Sequence, residues 1–247
     1  KLLIEFSHKE RYNVLKELYH EGKRHSELQS ELNIPGSEIS RHLGRLKDKN
    51  LVFKDVQNKY QITNIGKIFI RVMDIFEVSL IHRDFFNSHE ITSIPVFLIF
   101  KLGKLRDVEF GNKIMENMEI FENLVKNSDE FLYAITDQYQ KSLLKEAENK
   151  MRNKSIKIRA LVDRNLLKSY NIPNGWSKLF NDPKVFFKEM LENIRLFLNK
   201  NSEIDYSQCL IDNHNSFISW AKELFEWYWK KGMSLQPFIR KEMRLKD

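Results

Sequence analysis

Apolar side chains recur every three or four residues in two short stretches near the start of the chain. The first stretch is residues 7–21, in which the core-facing positions are Val14, Leu15 and Leu18. The second is HSELQSEL at residues 25–32, and the turn sequence NIPG at 33–36 follows it. The spacing predicts two amphipathic helices, the second of which a tight turn joins to whatever comes next.

A third helix is predicted in SEISRHLGRLKDKNLV, residues 37–52. Its apolar residues Ile39, Leu43 and Leu46 fall at helical spacing, and Ser37 is expected to be the N-cap. The opposite side of this helix carries small or cationic residues, namely Ser40, Arg41, Gly44, Arg45 and Lys47. Such a side is short enough for another backbone to lie close to it.

The stretch LVFKDVQNKYQIT at residues 51–63 alternates roughly between apolar and polar residues about a polar tip at 57–59. That alternation predicts a β-hairpin. Helix, helix, turn, helix and hairpin, in this order, predict a winged helix-turn-helix over residues 1–63, whose third helix would enter the DNA major groove. A plain helical bundle with a solvated basic face remains the alternative.

Residues 64–88 predict one long helix of roughly 37 Å, capped by Thr63 or Asn64 and followed by Pro95 as a stop. Its apolar residues cover more than one stripe, so one face is left over after packing on the winged helix. The surplus face would pair with a second copy of the chain or be buried against the second half of the same chain. We therefore assign residues 64–95 to a linker and dimerisation segment.

The remainder, residues 96–247, alternates between helical and strand patterns. Helices are expected around 96–103, 121–128 and 138–151, and a closing helix at 216–231 ends at Gly232; strands are expected at 131–136, 156–162, 185–189 and 194–198. Strand, helix and strand over 131–162 indicate a βαβ crossover. The fold class is α+β, with an α/β domain as the C-terminal, regulatory part.

The charge balance is mildly basic, with 41 Lys and Arg against 34 Asp and Glu and a net charge of +7. Residues 23–59 hold eight basic and five acidic residues, which suits a site-specific regulator better than a protein that coats DNA nonspecifically. The single Cys209 excludes an internal disulfide and is expected to be a buried free thiol. The sequence contains no signal peptide, lipidation motif or apolar run of membrane length, so we expect a cytoplasmic location and no membrane partner.

Four stretches resemble successive landmarks of an archaeal regulator family. They are FNSHEITSIP (86–95), FENLVKNSDEFLYAITDQY (121–139), IDYSQCLID (204–212) and SWAKELFEWY (219–228). The family is that of the methanogenesis regulatory proteins, which join a winged helix to a characteristic middle domain. The resemblance implies a dimeric transcriptional regulator with a sensor domain. Between Val185 and Leu196 this chain is shorter than the family's pattern.

The C-terminal domain also resembles, more distantly, the phospholipase D-like fold of some archaeal sugar-responsive repressors. Enzymes of that fold need a Lys two residues after the nucleophilic His, and no His in this chain has one. His82-Arg83-Asp84 imitates a kinase catalytic loop, but without the accompanying motifs it is interpreted as a polar break in the long helix. We therefore expect no enzyme, no cofactor and no metal; a hydrolase fused to a DNA-binding module and a winged helix used for protein contacts are the alternatives.

Arg41 and Arg45 lie one helical turn apart and are expected to read bases, preferably guanine, in one major groove. Ser40 and His42 flank them and are expected to reach bases or phosphates. Lys54 and Lys59 on the hairpin should touch phosphate only. The predicted DNA-binding residues are Ser37, Ser40, Arg41, His42, Arg45, Lys47, Lys54 and Lys59.

An effector site is predicted where the first two strands of the C-terminal sheet end, because ligands of open α/β sheets bind beyond the carboxyl ends of strands. Thr136 and Asp137 follow the first strand, and Asp163 and Arg164 follow the second. These groups would suit a small polar or phosphorylated metabolite. Alternatively, they are ordinary surface and cap residues, with Asp137 capping the helix after it.

Overall fold

The N-terminal part of the computed structural model has three helices and a two-stranded hairpin around one set of apolar side chains. These elements are α1 (Lys9–His20), α2 (His25–Leu32), α3 (Gly36–Asp48), β1 (Val52–Lys54) and β2 (Tyr60–Ile62). The structure describes residues 8–136, 149–150, 156–162, 185–189, 207–235 and 237. The order of elements confirms the winged helix-turn-helix predicted from the spacing.

The core of this part contains the apolar residues that the helical spacing singled out. Its members are Val14, Leu15, Leu18, Leu28, Ile34, Ile39, Leu43, Leu46, Leu51, Val52, Ile62 and Ile70. Each helix contributes one stripe, and the hairpin closes the remaining side. Burial of these side chains, rather than helix propensity, holds helices as short as α2 in place.

The turn between α2 and α3 depends on two backbone features. Asn33 adopts the left-handed conformation with φ of 53°, which ends α2. Pro35 stands at the N-cap of α3, and its carbonyl accepts the N–H groups of Glu38 and Ile39 at 2.9 and 3.0 Å. The prediction that Ser37 caps α3 is therefore wrong, because the helix begins one residue earlier, at Gly36, and Ser37 lies inside its first turn.

The wing is an antiparallel hairpin in which Val52 pairs with Ile62 and Lys54 with Tyr60. Asn58 turns the chain with φ of 62°, within the tip predicted at residues 57–59. On its other side β2 forms an isolated bridge between Tyr60 and Lys23, just after α1. The wing is thus tied to the helices as well as to itself.

The helix that leaves the wing, α4 (Asn64–Ile81), begins in close contact with the hairpin. The hydroxyl of Thr63 accepts the N–H of Gly66 at 3.1 Å, so Thr63, one of the two predicted caps, fills that role. A Cβ on Gly66 would lie 2.5 Å from the Leu51 carbonyl oxygen. Only glycine allows the first turn of α4 to lie this close to that backbone.

The prediction of one helix over 64–88, stopped by Pro95, is corrected by the structure. Helix α4 ends at Ile81, and a short helix, α5 (Arg83–Ser88), follows a non-helical His82. The buried His82 ring places Nε2 2.9 Å from the Leu105 carbonyl oxygen, which confirms the interpretation of 82–84 as a polar break. Pro95 is the N-cap of the next helix, α6 (Val96–Ile99).

Beyond α6 the described chain alternates helices and short strands. The elements are a 3-10 turn (Leu102–Leu105), β3 (Glu109–Gly111), α7 (Ile114–Asn127), β4 (Phe131–Thr136), β5 (Lys157–Val162), β6 (Val185–Glu189), β7 (Cys209–Ile211), α8 (Asn215–Lys231) and β8 (Met233–Ser234). Strands β4, β5 and β6 and helix α8 match their predictions, and α7 is longer than expected. The predicted strand 194–198, the proposed shortening after Val185 and nearly all of helix 138–151 lie outside the described residues.

Two sheets form in this part. Strands β4, β5 and β6 are parallel neighbours and β8 joins antiparallel to β6, whereas β3 and β7 make a separate antiparallel pair. Parallel pairing of β4 with β5 confirms the strand arrangement of a βαβ crossover. Cys209, predicted to be buried, is a half-buried free thiol in β7, and the burial it has raises the pKa of the thiol.

Helix α8 packs on the sheet through aromatic rings. Phe225 stacks on Tyr133 of β4 with ring centroids 4.7 Å apart. Arg159 of β5 lies among Tyr133, Phe225 and Trp229 and forms an ion pair with Glu226. These contacts explain the three- and four-residue spacing of large side chains along α8. The rings belong to a core, and the partly buried Arg159 cation lies against their faces.

The chain divides into two compact units, Lys1–Val78 and Ser79–Asp247. The division falls within α4, between the boundaries at 63/64 and 95/96 that the sequence suggested. Among the described residues, no helix is long and apolar enough to cross a membrane.

Candidate nucleic-acid interface

Helix α3 separates an apolar side from a polar one. Ile39, Leu43 and Leu46 are buried in the core. The exposed residues on the other side are Ser37, Ser40, Arg41, Gly44, Arg45 and Lys47. All but one of the predicted α3 contact residues therefore lie together on one accessible surface, which we call the α3 outer face.

The exception is His42, which is fully buried. Its ring lies 4.9 Å from the ring of His8, and burial is the main cause that lowers its pKa, with His8 adding to the effect. The prediction that His42 reaches bases or phosphates is wrong, because the residue is three positions after Ile39 and four before Leu46 and so shares their side of the helix.

The α3 outer face is anchored at its start by a residue of α2 that the sequence did not single out. The Nε2 atom of His25 lies 3.0 Å from the Gly36 carbonyl oxygen and 2.9 Å from the Ser40 hydroxyl. These contacts tie the first turn of α3 to α2. The sequence did offer a signal for this contact: His25 is a polar residue at the first position of α2, and only the turn at 33–36 separates α2 from α3.

The cations on this face are unevenly placed. Arg41 is 3.6 Å from Glu38 and both side chains are largely exposed, so the pair contributes little to stability and is easily exchanged for another anion. Arg45 and Lys47 lie further along, in the last turn of α3. Near Gly44 the described chain has no atom within 4 Å of the point where a Cβ would stand. The α3 outer face thus combines positive charge with free space above Gly44.

The wing adds cations on a fixed loop. The Asp55 carboxylate accepts the backbone N–H groups of Gln57 and Lys59 and the Gln61 side-chain amide, each at 2.9 Å. The Gln61 hydrogen bond is the largest cause that lowers the pKa of Asp55. Lys54 is exposed and Lys59 half-exposed, so both predicted wing contacts are available on a loop that Asp55 holds in one shape.

A second surface lies on α4. Ile65, Ile68, Val72, Phe76 and Leu80 are 48, 60, 37, 56 and 71 % exposed, respectively. They recur at intervals of three or four residues and form one continuous line, which we call the α4 stripe. The surplus apolar face predicted for this helix is therefore not buried in the structure.

Of the predicted effector residues, only Thr136 is described. It ends β4 directly opposite Val162, the last residue of β5, so the carboxyl ends of these strands lie side by side. Asp137, Asp163 and Arg164 are outside the described residues. Within the described ranges, no group of three or more His, Cys, Asp or Glu side chains is placed to hold a metal ion.

Comparison with known proteins gives one family match. Residues 4–80 match the family model described as "Methanogenesis regulatory protein FilR1, N-terminal domain". The resemblance to this family is thereby confirmed for the part of the chain that carries the α3 outer face and the α4 stripe. No curated protein matches this chain.

Solved structures give weaker similarities. TrmBL2, described as an archaeal chromatin protein with a novel mode of DNA binding, is 15% identical over 88% of this chain and 90% of its own, with a TM-score of 0.38. An O-methyltransferase family protein from Burkholderia thailandensis is 9% identical over 76% of this chain and 63% of its own, with a TM-score of 0.26. At TM-scores this low, neither superposition bears on the fold or chemistry of this chain.

Proposed function

We propose, from the match of residues 4–80 to the N-terminal domain of the methanogenesis regulatory proteins, that this chain is a DNA-binding transcriptional regulator. The observation that carries the proposal is the α3 outer face, which combines small residues and cations on the third helix of a winged helix-turn-helix. That helix is the one that enters the major groove in proteins of this architecture.

The contacts divide by chemistry. Arg41 and Arg45 are one turn apart and reach base edges, where Arg prefers guanine. Ser37, Ser40 and Lys47 on the same face, and Lys54 and Lys59 on the wing, contact phosphates and fix the register on the duplex. His42 has no part in this interface because it lies in the core.

The proposed assembly is a homodimer through the α4 stripe, which binds an inverted repeat. A line of exposed Ile, Val, Phe and Leu is costly in water and favours burial against an equally apolar surface. A second copy supplies that surface, and the twofold axis of the dimer is then matched by the symmetry of the operator.

A small polar metabolite is the proposed effector, bound by Thr136, Asp137, Asp163 and Arg164. Support comes from the pairing of β4 with β5, which brings the two strand ends together. To release DNA tenfold, the ligand must prefer one of two dimer geometries by about 1.4 kcal/mol. A screen of cell-extract metabolites for a raised melting temperature tests the site, and an Asp137→Ala/Asp163→Ala variant should lose the effect.

The two alternatives have less support. A hydrolase of the phospholipase D type would need a Lys two residues after a His, and the sequence has none. A winged helix that binds only protein would not need exposed arginines beside small residues on α3. We therefore propose a regulator without catalytic activity.

Selection of genomic fragments with the purified full-length protein is the test of this function. We expect enrichment of a small set of fragments that share an inverted repeat, with binding that weakens as salt is raised because phosphate contacts release counterions. Equal recovery of all fragments, or no recovery at low salt, would overturn the proposal of a sequence-specific regulator.

A further inference from the structure

The contact between α2 and α3 decides which nitrogen of the His25 ring carries a hydrogen. Its Nε2 atom lies 3.0 Å from the Gly36 carbonyl oxygen and 2.9 Å from the Ser40 hydroxyl oxygen. A carbonyl oxygen can only accept, and a lone pair on Nε2 would be repelled by it at this distance. The hydrogen is therefore assigned to Nε2, in the neutral ring and in the imidazolium alike, and Nε2 donates toward both oxygens.

This assignment fixes the role of the Ser40 hydroxyl. A hydroxyl has one hydrogen to donate and lone pairs with which to accept. Since Nε2 has no lone pair left, Ser40 accepts from His25 and keeps its own hydrogen. Within the described ranges, the structure gives the Ser40 hydroxyl no hydrogen bond other than this one.

A serine inside a helix commonly donates to the carbonyl oxygen four residues earlier. For Ser40 that oxygen belongs to Gly36, the atom on which His25 Nε2 already lies. His25 therefore competes with the usual back-bond and leaves the hydroxyl hydrogen for an acceptor outside the helix. Ser40 is exposed on the α3 outer face, so this acceptor comes from whatever binds that face.

The His25 ring stands on a turn that is fixed on its own account. The backbone N–H of Arg24 donates to the Glu27 carboxylate at 2.6 Å, and the N–H of Leu28 donates to the Arg24 carbonyl oxygen at 3.1 Å. Leu28 is fully buried in the core. A Cβ on Gly36 would lie 3.3 Å from Cε1 of His25, so glycine at this position leaves room for the ring. The imidazole is thus held between two helices that share one core.

We propose that His25 is a positioning residue of the DNA interface, which holds the Ser40 hydroxyl so that it donates to a phosphate oxygen. This inference rests on the proposed function and adds to it the residue that orients one phosphate contact. His25 acts through Ser40 and not by contacting DNA itself. Without the ring, the Ser40 hydrogen would turn to the Gly36 carbonyl oxygen and be lost to the phosphate.

The gain from this arrangement follows from the chemistry of the acceptor. A hydrogen bond to an ionised phosphate is stronger than one between neutral groups. An exposed hydroxyl that is already oriented gives up less rotational freedom when DNA binds. A phosphate contact carries no sequence information, so the gain is the same on every duplex.

A double-mutant cycle tests whether His25 acts through Ser40. Full-length His25→Met, Ser40→Ala and the combined variant are compared by fluorescence anisotropy on a selected operator and on random DNA. Each single change should weaken binding to both DNAs by about three- to tenfold, because a charge-assisted hydrogen bond is lost. The combined variant should be no weaker than the weaker single variant. A combined loss equal to the product of the two single losses would overturn the inference.

His25→Gln is the matched variant that keeps the donor. The side-chain amide nitrogen of Gln stands as many bonds from the backbone as Nε2 of His, and it always donates. Its affinity should stay within about twofold of the wild type, since the donor to Ser40 is retained. A loss as large as that of His25→Met would contradict the proposal. Urea unfolding of each variant measures any loosening of the fold, which would weaken binding with or without the Ser40 hydroxyl and so give multiplied losses.

The wild-type protein provides a check that needs no substitution. Long-range proton–nitrogen correlation spectra of the imidazole show which ring nitrogen carries the hydrogen, and we expect Nε2. A neutral ring with its hydrogen on Nδ1 would overturn the inference. Wild-type binding to DNA together with multiplied losses in the cycle removes only the role of His25. A wild-type protein that binds neither DNA fails the proposed function itself, and the inference falls with it.

Discussion

Helices α3 and α4 pack on the same core yet present opposite surfaces to solvent. The α3 outer face is built from Ser, Gly, Arg and Lys, whereas the α4 stripe is built from Ile, Val, Phe and Leu. Both helices contribute to this core, α3 through Ile39, Leu43 and Leu46 and α4 through Ile70. We propose that the difference reflects what each helix meets outside the domain: a polyanion for α3 and an apolar surface for α4.

The largest expected effect comes from placing charge on the α4 stripe. Phe76→Glu with Leu80→Glu puts two anions where an apolar contact is proposed. We expect a folded monomer in light scattering, with operator affinity lower by roughly 100-fold or more because two linked half-site contacts become one.

Ile81→Glu is the matched control, since Ile81 is 54 % exposed on the same helix but lies about 100° around it from Leu80. It should remain a dimer with nearly unchanged affinity. A wild-type chain that is already monomeric at micromolar concentration would end the comparison, because the stripe would then need another explanation.

The second prediction concerns the DNA contacts proposed for the α3 outer face and the wing. Arg45→Ala should weaken operator binding by about 1–3 kcal/mol and relax the preference at one base position, because a bidentate contact to guanine is lost. Lys59→Ala should weaken binding to operator and random DNA alike, because a phosphate contact carries no sequence information. Fluorescence anisotropy on both DNAs measures the two differences, and equal losses on both DNAs for both variants would contradict these roles.

How far the sequence predicts this molecule depends on the length of each periodic pattern. Strands 131–136 and 185–189 were predicted correctly from short, mostly apolar runs, and the core side of α3 from apolar residues that recur at three and four positions. The three-residue strands β3 and β7 were missed because a period of two has almost no length to show itself in. Residues 82–84 were interpreted as a polar interruption, but the end of α4 at Ile81 was not predicted. The break at His82 depends on a contact with Leu105, which is distant in the sequence.

At the candidate site the error has a different cause. His42 was placed on the α3 outer face because its side chain is polar, although its position between Ile39 and Leu46 assigns it to the core. Residue type and spacing disagreed, and spacing was correct. The exposed cations and the α4 stripe were predicted because there type and spacing agree.

His42 also offers a test of the α3 core side. Both of its ring nitrogens lack a hydrogen-bond partner among the described residues, and a polar group buried in this way is destabilising. His42→Leu should raise the free energy of unfolding by roughly 1 kcal/mol at pH 7, as measured in urea, while the α3 outer face is unchanged and operator affinity stays the same.

The stabilisation expected from His42→Leu should depend on pH. Burial lowers the pKa of His42 in the folded state, with the neighbouring His8 and Arg41 acting in the same direction. The free energy of unfolding is therefore highest, as far as this ring is concerned, above its unfolded-state pKa of about 6.5. It decreases as the pH falls from there through the lower pKa of the folded state. The stabilisation by His42→Leu should therefore be larger at pH 5.5 than at pH 8; equal gains at both would show that protonation of this ring does not matter.

The smallest effect separates stability from binding within α3 itself. Gly44 lies at an exposed position in the interior of α3, where glycine is less stable than alanine by about 1 kcal/mol, and no neighbouring atom of the described chain comes within 4 Å of a Cβ there. Gly44→Ala should therefore raise the free energy of unfolding by somewhat less than 1 kcal/mol. Gly66→Ala is the matched control and should destabilise, since its Cβ would meet the Leu51 carbonyl oxygen at 2.5 Å.

For DNA binding, Gly44→Ala is expected to be unfavourable, although it stabilises the protein. The α3 outer face is proposed to approach the groove closely, so a methyl group between Arg41 and Arg45 should hold the helix back and weaken operator binding a few-fold, even though the protein itself is more stable. Urea unfolding and anisotropy on one preparation measure both quantities. A variant that is more stable and binds equally well would place Gly44 away from the DNA and move the contact toward the wing; a variant that is less stable would show that α3 needs glycine for its own packing.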